Sequence, residues 1–357
     1  MSHQKEVDEF DPVLENFDEL LQQEKQNHVN IGKSFRLIKK IDQGSYSEIF
    51  LGKNLETNME VAVKVEKITA KQPKLLFYES RVYQYLLKEK QKGIVEQLYS
   101  KKKPKVEKGF PEIFACSNEG DYNILIMENL GPDLEVLFQI CNKKFDLKTV
   151  CIIAIQVLQR LQFMSQKYLI HRDVKPSNFC IGKKEKKNVI YMIDLAFAKK
   201  YMTKDRQHIA FQENQSMTGT LLYSSINSHK GYELSRRDDL QSLAYMLFYF
   251  LKGSLPWQNL KCNRKEKLEK TIEKKLQNPE QSLFKGIQHL EFINFYQYAQ
   301  NLEFEQEPDY QYWMDQFEKL VYKNGQKIDY IYSWNLAAQS EESQIKVPEQ
   351  KISQTQL

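Results

Sequence analysis

The sequence lacks the cysteine pattern of a disulfide or metal framework. Its 357 residues include five cysteines, an odd number, and no two of them form a Cys-x-x-Cys pair. This wide spacing predicts reduced thiols that lie mostly in a core, rather than disulfide bonds or zinc ligands. A strong excess of one charge is lacking as well, because the formal net charge is only +5. The charge balance therefore gives no reason to expect a nucleic-acid partner.

Segments that would attach the chain to a membrane are also lacking. Residues 243–251 (LAYMLFYFL) form an apolar run that is long enough only for a buried helix. The opening string MSHQKEVDEF is too polar for a signal peptide and lacks the glycine that myristoylation requires, and the C-terminal segment has no cysteine for a lipid. We expect a protein without membrane contact, located in the cytosol or the nucleus.

What the sequence does contain is a dense group of polar residues between positions 169 and 200. Two short apolar stretches, residues 168–170 and 189–193, have the pattern of buried strands. The string HRDVKPSN follows the first stretch almost at once, and Asp194 follows the second. Charged groups at such places are costly to bury, so this pattern predicts a functional site.

Phosphoryl transfer requires this set of groups. The carboxylate of Asp173 would orient an attacking hydroxyl and accept its proton, and Lys175 would offset charge on the transferred phosphoryl group. The amide oxygen of Asn178 and the carboxylate of Asp194 are oxygen ligands of the type that holds Mg²⁺ against nucleotide phosphates.

The string H-R-D-V-K-P-S-N resembles the catalytic loop of protein kinases, and D-L-A at Asp194 stands where that family has D-F-G. The resemblance implies an α+β, two-lobed protein kinase fold that uses ATP and Mg²⁺. We expect the small β-rich N-lobe over residues 29–130 and the larger helical C-lobe over residues 131–336.

Three further segments are expected outside the regular fold. Residues 1–28 form an acidic arm, either solvated or folded as a short amphipathic helix. Residues 88–108 form a lysine-rich insertion in the N-lobe, which we interpret as a surface loop rather than a nucleic-acid patch. Residues 337–357 have the composition of a disordered polar tail.

The kinase resemblance also implies a set of nucleotide-binding residues. The string VAVK ends at Lys64, which would pair the nucleotide phosphates, and Glu79 on a predicted helix over 75–87 would pair Lys64. Met127 would line the adenine pocket, and the backbone of Glu128 and Leu130 would meet the adenine edge. The implied ATP-binding set comprises Ile41, Gly44, Ile49, Ala62, Lys64, Glu79, Met127, Glu128 and Leu130.

The later strings TGTLLYSSIN, SRRDDLQSLAY and GSLPWQNLK resemble the casein kinase I family. In that family Ser-Ile-Asn replaces the usual Ala-Pro-Glu, and Asp239 matches the buried aspartate that supports the catalytic loop. The resemblance implies a monomeric Ser/Thr kinase that acts on acidic or already phosphorylated protein substrates through a basic pocket. The cations implied for that pocket are Arg264, Lys265 and Lys267.

The sequence departs from these families at several positions. Of the glycine-rich loop G-x-G-x-x-G, only the middle glycine, Gly44, is present, with Asp42 and Ser47 at the outer positions. The casein kinase I activation-segment arginine is Leu222, so one phosphate-binding fork is missing, which predicts a weaker dependence on a phosphorylated substrate.

The D-L-A string is the other departure. Alanine restricts the backbone where glycine would let it rotate, so Ala196 is expected to hold the segment near the active state. Leu195 is expected to fill the apolar pocket that the phenylalanine of D-F-G occupies in the kinase family.

Two functions of different classes remain open. The complete set of charged catalytic residues favours an active kinase, because a metal-binding carboxylate has no substitute. The altered glycine loop and D-L-A favour a pseudokinase that serves as a scaffold or regulator.

Overall fold

The computed structural model describes residues 30–44, 47–68, 75–87, 109–261, 263–277 and 279–337. Three predicted segments lie outside these residues: the acidic arm (1–28), the lysine-rich insertion (88–108) and the polar tail (337–357) apart from its first residue. Ser45 and Tyr46 at the tip of the predicted phosphate loop also lie outside them.

The described residues divide into two compact units. The sheet unit comprises those up to Gly131 together with Tyr191–Ala198, and the helical unit comprises Pro132–Ile190 and those from Lys199 onward. The sequence-based division after residue 130 did not place Tyr191–Ala198 with the sheet. The difference arises because these residues contact a helix more than a hundred positions earlier in the chain, which local sequence patterns do not report.

The sheet unit is built on antiparallel strands. They are β1 (Asn30–Ile31), β2 (Phe35–Gln43), β3 (Glu48–Asn54), β4 (Glu60–Lys67), β5 (Ile113–Glu119) and β6 (Tyr122–Glu128). Their order in the sheet is β1-β2-β3-β4-β6-β5. Helix α1 (Leu75–Leu87) has the bounds that the sequence predicts.

Strand β4 shows why one sheet face is core and the other is available for chemistry. Successive side chains of a strand point to opposite faces. Val61, Val63 and Val65 are buried in an apolar cluster that also contains Phe50 and residues of β6. Lys64 therefore lies on the opposite face.

The helical unit contains most of the helices. They are α2 (Leu134–Ile140), α3 (Leu147–Gln166), α4 (Ile226–His229), α5 (Arg236–Lys252), α6 (Arg264–Leu276), α7 (Pro279–Ser282), α8 (Leu290–Asn301) and α9 (Tyr310–Lys323). The short strands after α3 are β7 (Leu169–Ile170), β8 (Phe179–Ile181), β9 (Ile190–Met192) and β10 (Lys199–Lys200). A sheet-based unit and a helical unit confirm the predicted α+β class.

Helix α3 is central to the helical unit, where it packs against α5 and α9. The carboxylate of Asp146 caps it by accepting the Thr149 N–H at 2.6 Å. The helix is long and apolar enough to span a membrane, but 72% of its apolar window is buried inside the protein, as in a core helix.

Candidate active site

The first functional group, here called the lysine group, consists of Lys64, Glu79 and Asp194 in the sheet unit. The Lys64 Nζ lies 2.8 Å from Glu79 Oε2 and 3.0 Å from Asp194 Oδ1. Burial alone would lower the pKa of Lys64, but the two carboxylates outweigh it and raise that pKa above its ordinary value. Lys64 is therefore a permanent cation at neutral pH.

Asp194 is presented to Lys64 by an unusual backbone conformation. Its φ of 61° is left-handed, a region that aspartate tolerates better than most residues. The following turn, Leu195–Phe197, is a 3-10 helix, and the Leu195 N–H donates to Glu79 Oε1 at 3.2 Å. Leu195 is fully buried, as the sequence predicts. Ala196 lies within the 3-10 turn and is not among the residues with positive φ, so alanine fits there without strain.

Helix α1, which carries Glu79, is anchored by a residue that sequence reasoning missed. The Glu66 carboxylate on β4 accepts the backbone N–H groups of Leu75 at 3.0 Å and Leu76 at 3.4 Å. It also accepts the Asn123 side-chain amide at 2.9 Å. A carboxylate at a helix N-terminus satisfies unpaired N–H groups and interacts favourably with the helix dipole.

Glu66→Gln is expected to loosen α1 and with it the Glu79–Lys64 pair. The amide keeps the shape but loses the charge, so we expect a stability loss of about 1–2 kcal/mol. A fall in kcat/KM of about threefold to tenfold should accompany it. Thermal unfolding and steady-state kinetics measure both. The control is Glu60→Gln at the exposed end of the same strand; equal effects of the two variants would remove Glu66 from this role.

The second functional group, here called the aspartate group, lies in the helical unit around Asp173. One carboxylate oxygen, Oδ2, is 2.8 Å from Lys175 Nζ, and the other, Oδ1, accepts the Thr220 hydroxyl at 2.8 Å. The Asn178 side-chain amide donates to the Asp173 carbonyl at 2.8 Å and reaches Oδ2 at 3.3 Å. Asp173 is thus buried but held by several donors, which keeps its carboxylate in one orientation.

The loop that carries Asp173 is supported from beneath by α5. The Asp239 carboxylate accepts the His171 N–H at 2.7 Å and the Arg172 N–H at 2.8 Å. Arg172 has a positive φ of 70°, so the loop is in a conformation that needs such support. The supporting role predicted for Asp239 is confirmed by these contacts.

Gly219 allows the later segment to pass close to this loop. Its φ is +94°, and an added Cβ would lie 2.6 Å from the Arg172 carbonyl oxygen. Only glycine fits such an approach. The close passage brings the neighbouring Thr220 hydroxyl to Asp173, a contact that sequence reasoning did not select although the T-G-T string contains it.

The Ser-Ile-Asn string ends this segment with a specific anchor. The Ser225 hydroxyl and the Asn227 amide both donate to Asp238 Oδ1, at 2.7 Å and 2.9 Å. Ser225 also caps α4 by accepting the Ser228 N–H. One hydroxyl donor and one amide donor thus hold the segment to Asp238 on α5.

Comparison with known families decides the identity of this chain. The family model for the protein kinase domain matches residues 35–319, which is most of the chain. The chain belongs to the protein kinase family. Its two-lobed α+β kinase fold is thereby shown, and kinases of this family use ATP and Mg²⁺ in general.

Within the sheet unit of this kinase, strand pairing gathers several of the predicted ATP-binding residues. Ile49 pairs with Lys64, and Ala62 pairs with Met127, so all four share one face of the sheet. The Glu128 N–H donates to the Glu112 carbonyl, so a contact from Glu128 to adenine would be made by its carbonyl. Leu130 follows β6 outside the ladder.

Two further residues of the predicted ATP-binding set, Ile41 and Gly44, lie in the predicted phosphate loop. Ile41 lies at a bulge of β2 and is 47% exposed, while the Gly44 N–H donates to the Ser47 carbonyl at 2.8 Å across the turn. The Asp42 carboxylate accepts the Gln43 N–H at 2.7 Å. The charge that Asp42 introduces thus has a local backbone donor.

The structure describes only part of the predicted basic pocket. Arg264, Lys265 and Lys267 all lie at the start of α6, where Lys267 is exposed. The side chains of Arg264 and Lys265 lie outside what the structure describes. At the position of the missing arginine, the Leu222 carbonyl accepts the Trp257 indole N–H at 2.8 Å.

Proposed function

We propose that the chain is a monomeric serine/threonine protein kinase of casein kinase I type. It transfers the γ-phosphate of ATP to hydroxyls of protein substrates that carry acidic or phosphorylated residues nearby. The aspartate group carries this proposal, because Asp173 is buried and held by Lys175, Asn178 and Thr220 in the manner that a hydroxyl-orienting base requires.

Each charged residue has a role in this reaction. Asp173 orients the acceptor hydroxyl and takes its proton, while Lys175 stabilises charge on the transferred phosphoryl group. Lys64, kept charged by Glu79 and Asp194, binds the nucleotide phosphates.

The residues present fit Mg²⁺. The Asn178 side-chain nitrogen donates to Asp173, so its oxygen is the atom suited to a cation. Asp194 supplies a carboxylate, and both are the hard oxygen ligands that Mg²⁺ prefers. Each of these two residues can supply one oxygen ligand to Mg²⁺, which would neutralise phosphate charge when bound with ATP.

We expect the enzyme to prefer acidic protein substrates and to depend only weakly on whether the substrate is already phosphorylated. The resemblance of the later sequence strings to casein kinase I and the exposed cation Lys267 favour an acidic substrate. Leu222 offers no guanidinium fork, which removes a bidentate contact to phosphate.

Matched peptides that differ only in the phosphorylation of one serine beside the acceptor test this preference. We expect phosphorylation of the peptide to raise kcat/KM by less than about tenfold in the natural chain. Leu222→Arg should increase that ratio by about tenfold, because a charged hydrogen bond contributes about 1.5–3 kcal/mol. A large preference in the natural chain, unchanged by Leu222→Arg, would refute this specificity.

The competing function is a nucleotide-binding scaffold, favoured only by the departures at Asp42, Ser47 and Ala196. The kinase and scaffold functions are distinguished by measuring phosphate transfer from Mg-ATP to casein, to an acidic serine peptide and to an acidic tyrosine peptide. Transfer to the serine peptide supports the proposal; transfer to tyrosine alone overturns the residue specificity. A thermal shift with nucleotide but no transfer would assign the scaffold function.

A further inference from the structure

A buried lysine on α6 has no part in the site described above. Lys275 is only 3% exposed, a rare environment for lysine. Its Nζ lies 2.6 Å from the Ser224 carbonyl oxygen, 3.3 Å from the Leu221 carbonyl oxygen and 2.9 Å from His229 Nε2. The three N–H groups of an ammonium match these three acceptors.

Aromatic rings complete the environment of Lys275. Its Nζ lies 4.6 Å from the centroid of the Tyr245 ring and 5.1 Å from that of Trp257. Burial lowers the pKa of Lys275, while the carbonyl dipoles and the aromatic faces favour its charged form. Burial and the neighbouring Lys275 also lower the pKa of His229 to about 3, so His229 is neutral and its Nε2 can accept.

These contacts fix the segment that follows Thr220. Residues 221–224 contain no helix or strand, so their backbone carbonyls need partners from elsewhere. Lys275 binds the carbonyls of Leu221 and Ser224, and the Trp257 indole N–H binds that of Leu222 between them. Removing Lys275 would leave buried carbonyls unsatisfied, which is costly.

The position of this segment matters for the reaction. It begins at Thr220, whose hydroxyl contacts Asp173, and it ends at Ser225, which is anchored to Asp238. A shift between these two anchors would move backbone beside the catalytic carboxylate. In many kinases an added phosphate orders the activation segment through arginine contacts.

We propose that Lys275 is a positioning residue that sets the affinity for the protein substrate, because its hydrogen bonds hold residues 221–229 in place. Its hydrogen bonds are to Leu221, Ser224 and His229, so it acts through the segment. The kinetic readout of this inference rests on the proposed transfer to protein substrates, whereas the order of the segment does not.

Lys275→Met keeps the length and apolar character of the side chain but removes its three hydrogen bonds. We expect the KM for an acidic peptide to rise by about tenfold or more, while the KM for ATP changes by less than about twofold. Amide hydrogen exchange of residues 221–229 should become about tenfold faster, with no change in β4 and β6 of the sheet unit.

Lys274→Met is the matched control, because the preceding lysine on α6 donates to Gln277 Oε1 at 3.0 Å, at the C-terminal end of the same helix. It should leave both KM values and the exchange of 221–229 unchanged. Trp257→Phe keeps an aromatic ring but removes the donor to the Leu222 carbonyl, and should show a smaller change in the same direction. This variant tests the inference if Lys275→Met does not fold.

Unchanged exchange of 221–229 and unchanged peptide KM in Lys275→Met would overturn the inference. So would equal increases in both KM values with faster exchange throughout the protein, since that result describes a purely structural lysine. If the natural chain transfers no phosphate, the proposed function fails, but the exchange of 221–229 in Lys275→Met and Lys274→Met still decides the role of Lys275.

Discussion

Asp173→Asn is expected to reduce phosphate transfer by about a hundredfold to ten-thousandfold, the usual contribution of a general base. The asparagine cannot accept the proton of the acceptor hydroxyl. It can still be accommodated, because its oxygen can face Lys175 and Asn178 while its NH₂ donates to the Thr220 hydroxyl oxygen. The loss therefore measures chemistry rather than misfolding.

The measurement is kcat with Mg-ATP and an acidic peptide, together with the thermal shift that nucleotide causes. We expect the thermal shift to be retained in Asp173→Asn. Asp205→Asn, an exposed position in a turn of the helical unit, is the charge-matched control and should retain full activity. Equal activity in Asp173→Asn and the natural chain would exclude Asp173 as the base.

Lys64→Met is expected to lower kcat/KM by about a hundredfold to a thousandfold, as the loss of a preorganised charge does in other active sites. It also leaves Glu79 buried without its cation, which costs about 3 kcal/mol of stability. Lys67→Met, at the exposed end of the same strand, is the control and should change neither quantity strongly.

The stability cost of Lys64→Met should depend on pH. Burial raises the pKa of Glu79, and the positive charge of Lys64 opposes that shift, so removing Lys64 raises this pKa further. A carboxyl whose folded-state pKa lies above its unfolded value binds its proton more tightly when folded, so stability is greater below that pKa and falls as pH rises through it. The deficit of Lys64→Met against the natural chain should therefore be smaller at pH 5 than at pH 8. Chemical denaturation at the two pH values measures this, and an equal deficit at both would contradict it.

Ordinary local chemistry made much of the fold predictable. The resemblance to kinase strings predicted Lys64 on a strand and Glu79 on a helix over 75–87, and these are the elements observed. The strings HRDVKPSN and D-L-A identified Asp173 and Asp194 because phosphoryl transfer needs those groups at those spacings. These features depend on neighbours in the chain.

Contacts between residues far apart in the chain could not be predicted in this way. Tyr191–Ala198 joined the sheet unit because of contacts with α1, which lies far away in sequence.

By itself the sequence determined the α+β class, the resemblance to kinase catalytic strings and the charged residues proposed to carry the chemistry, because these are set by residue type and short spacing. Only the tertiary structure showed that Glu66 caps α1, that Thr220 contacts Asp173 and that Lys275 binds the Ser224 carbonyl. Each of these contacts joins residues that are 9 to 51 positions apart. No local pattern encodes such a contact, because its partner is chosen by how distant elements pack and by which buried polar groups would otherwise lack a hydrogen bond.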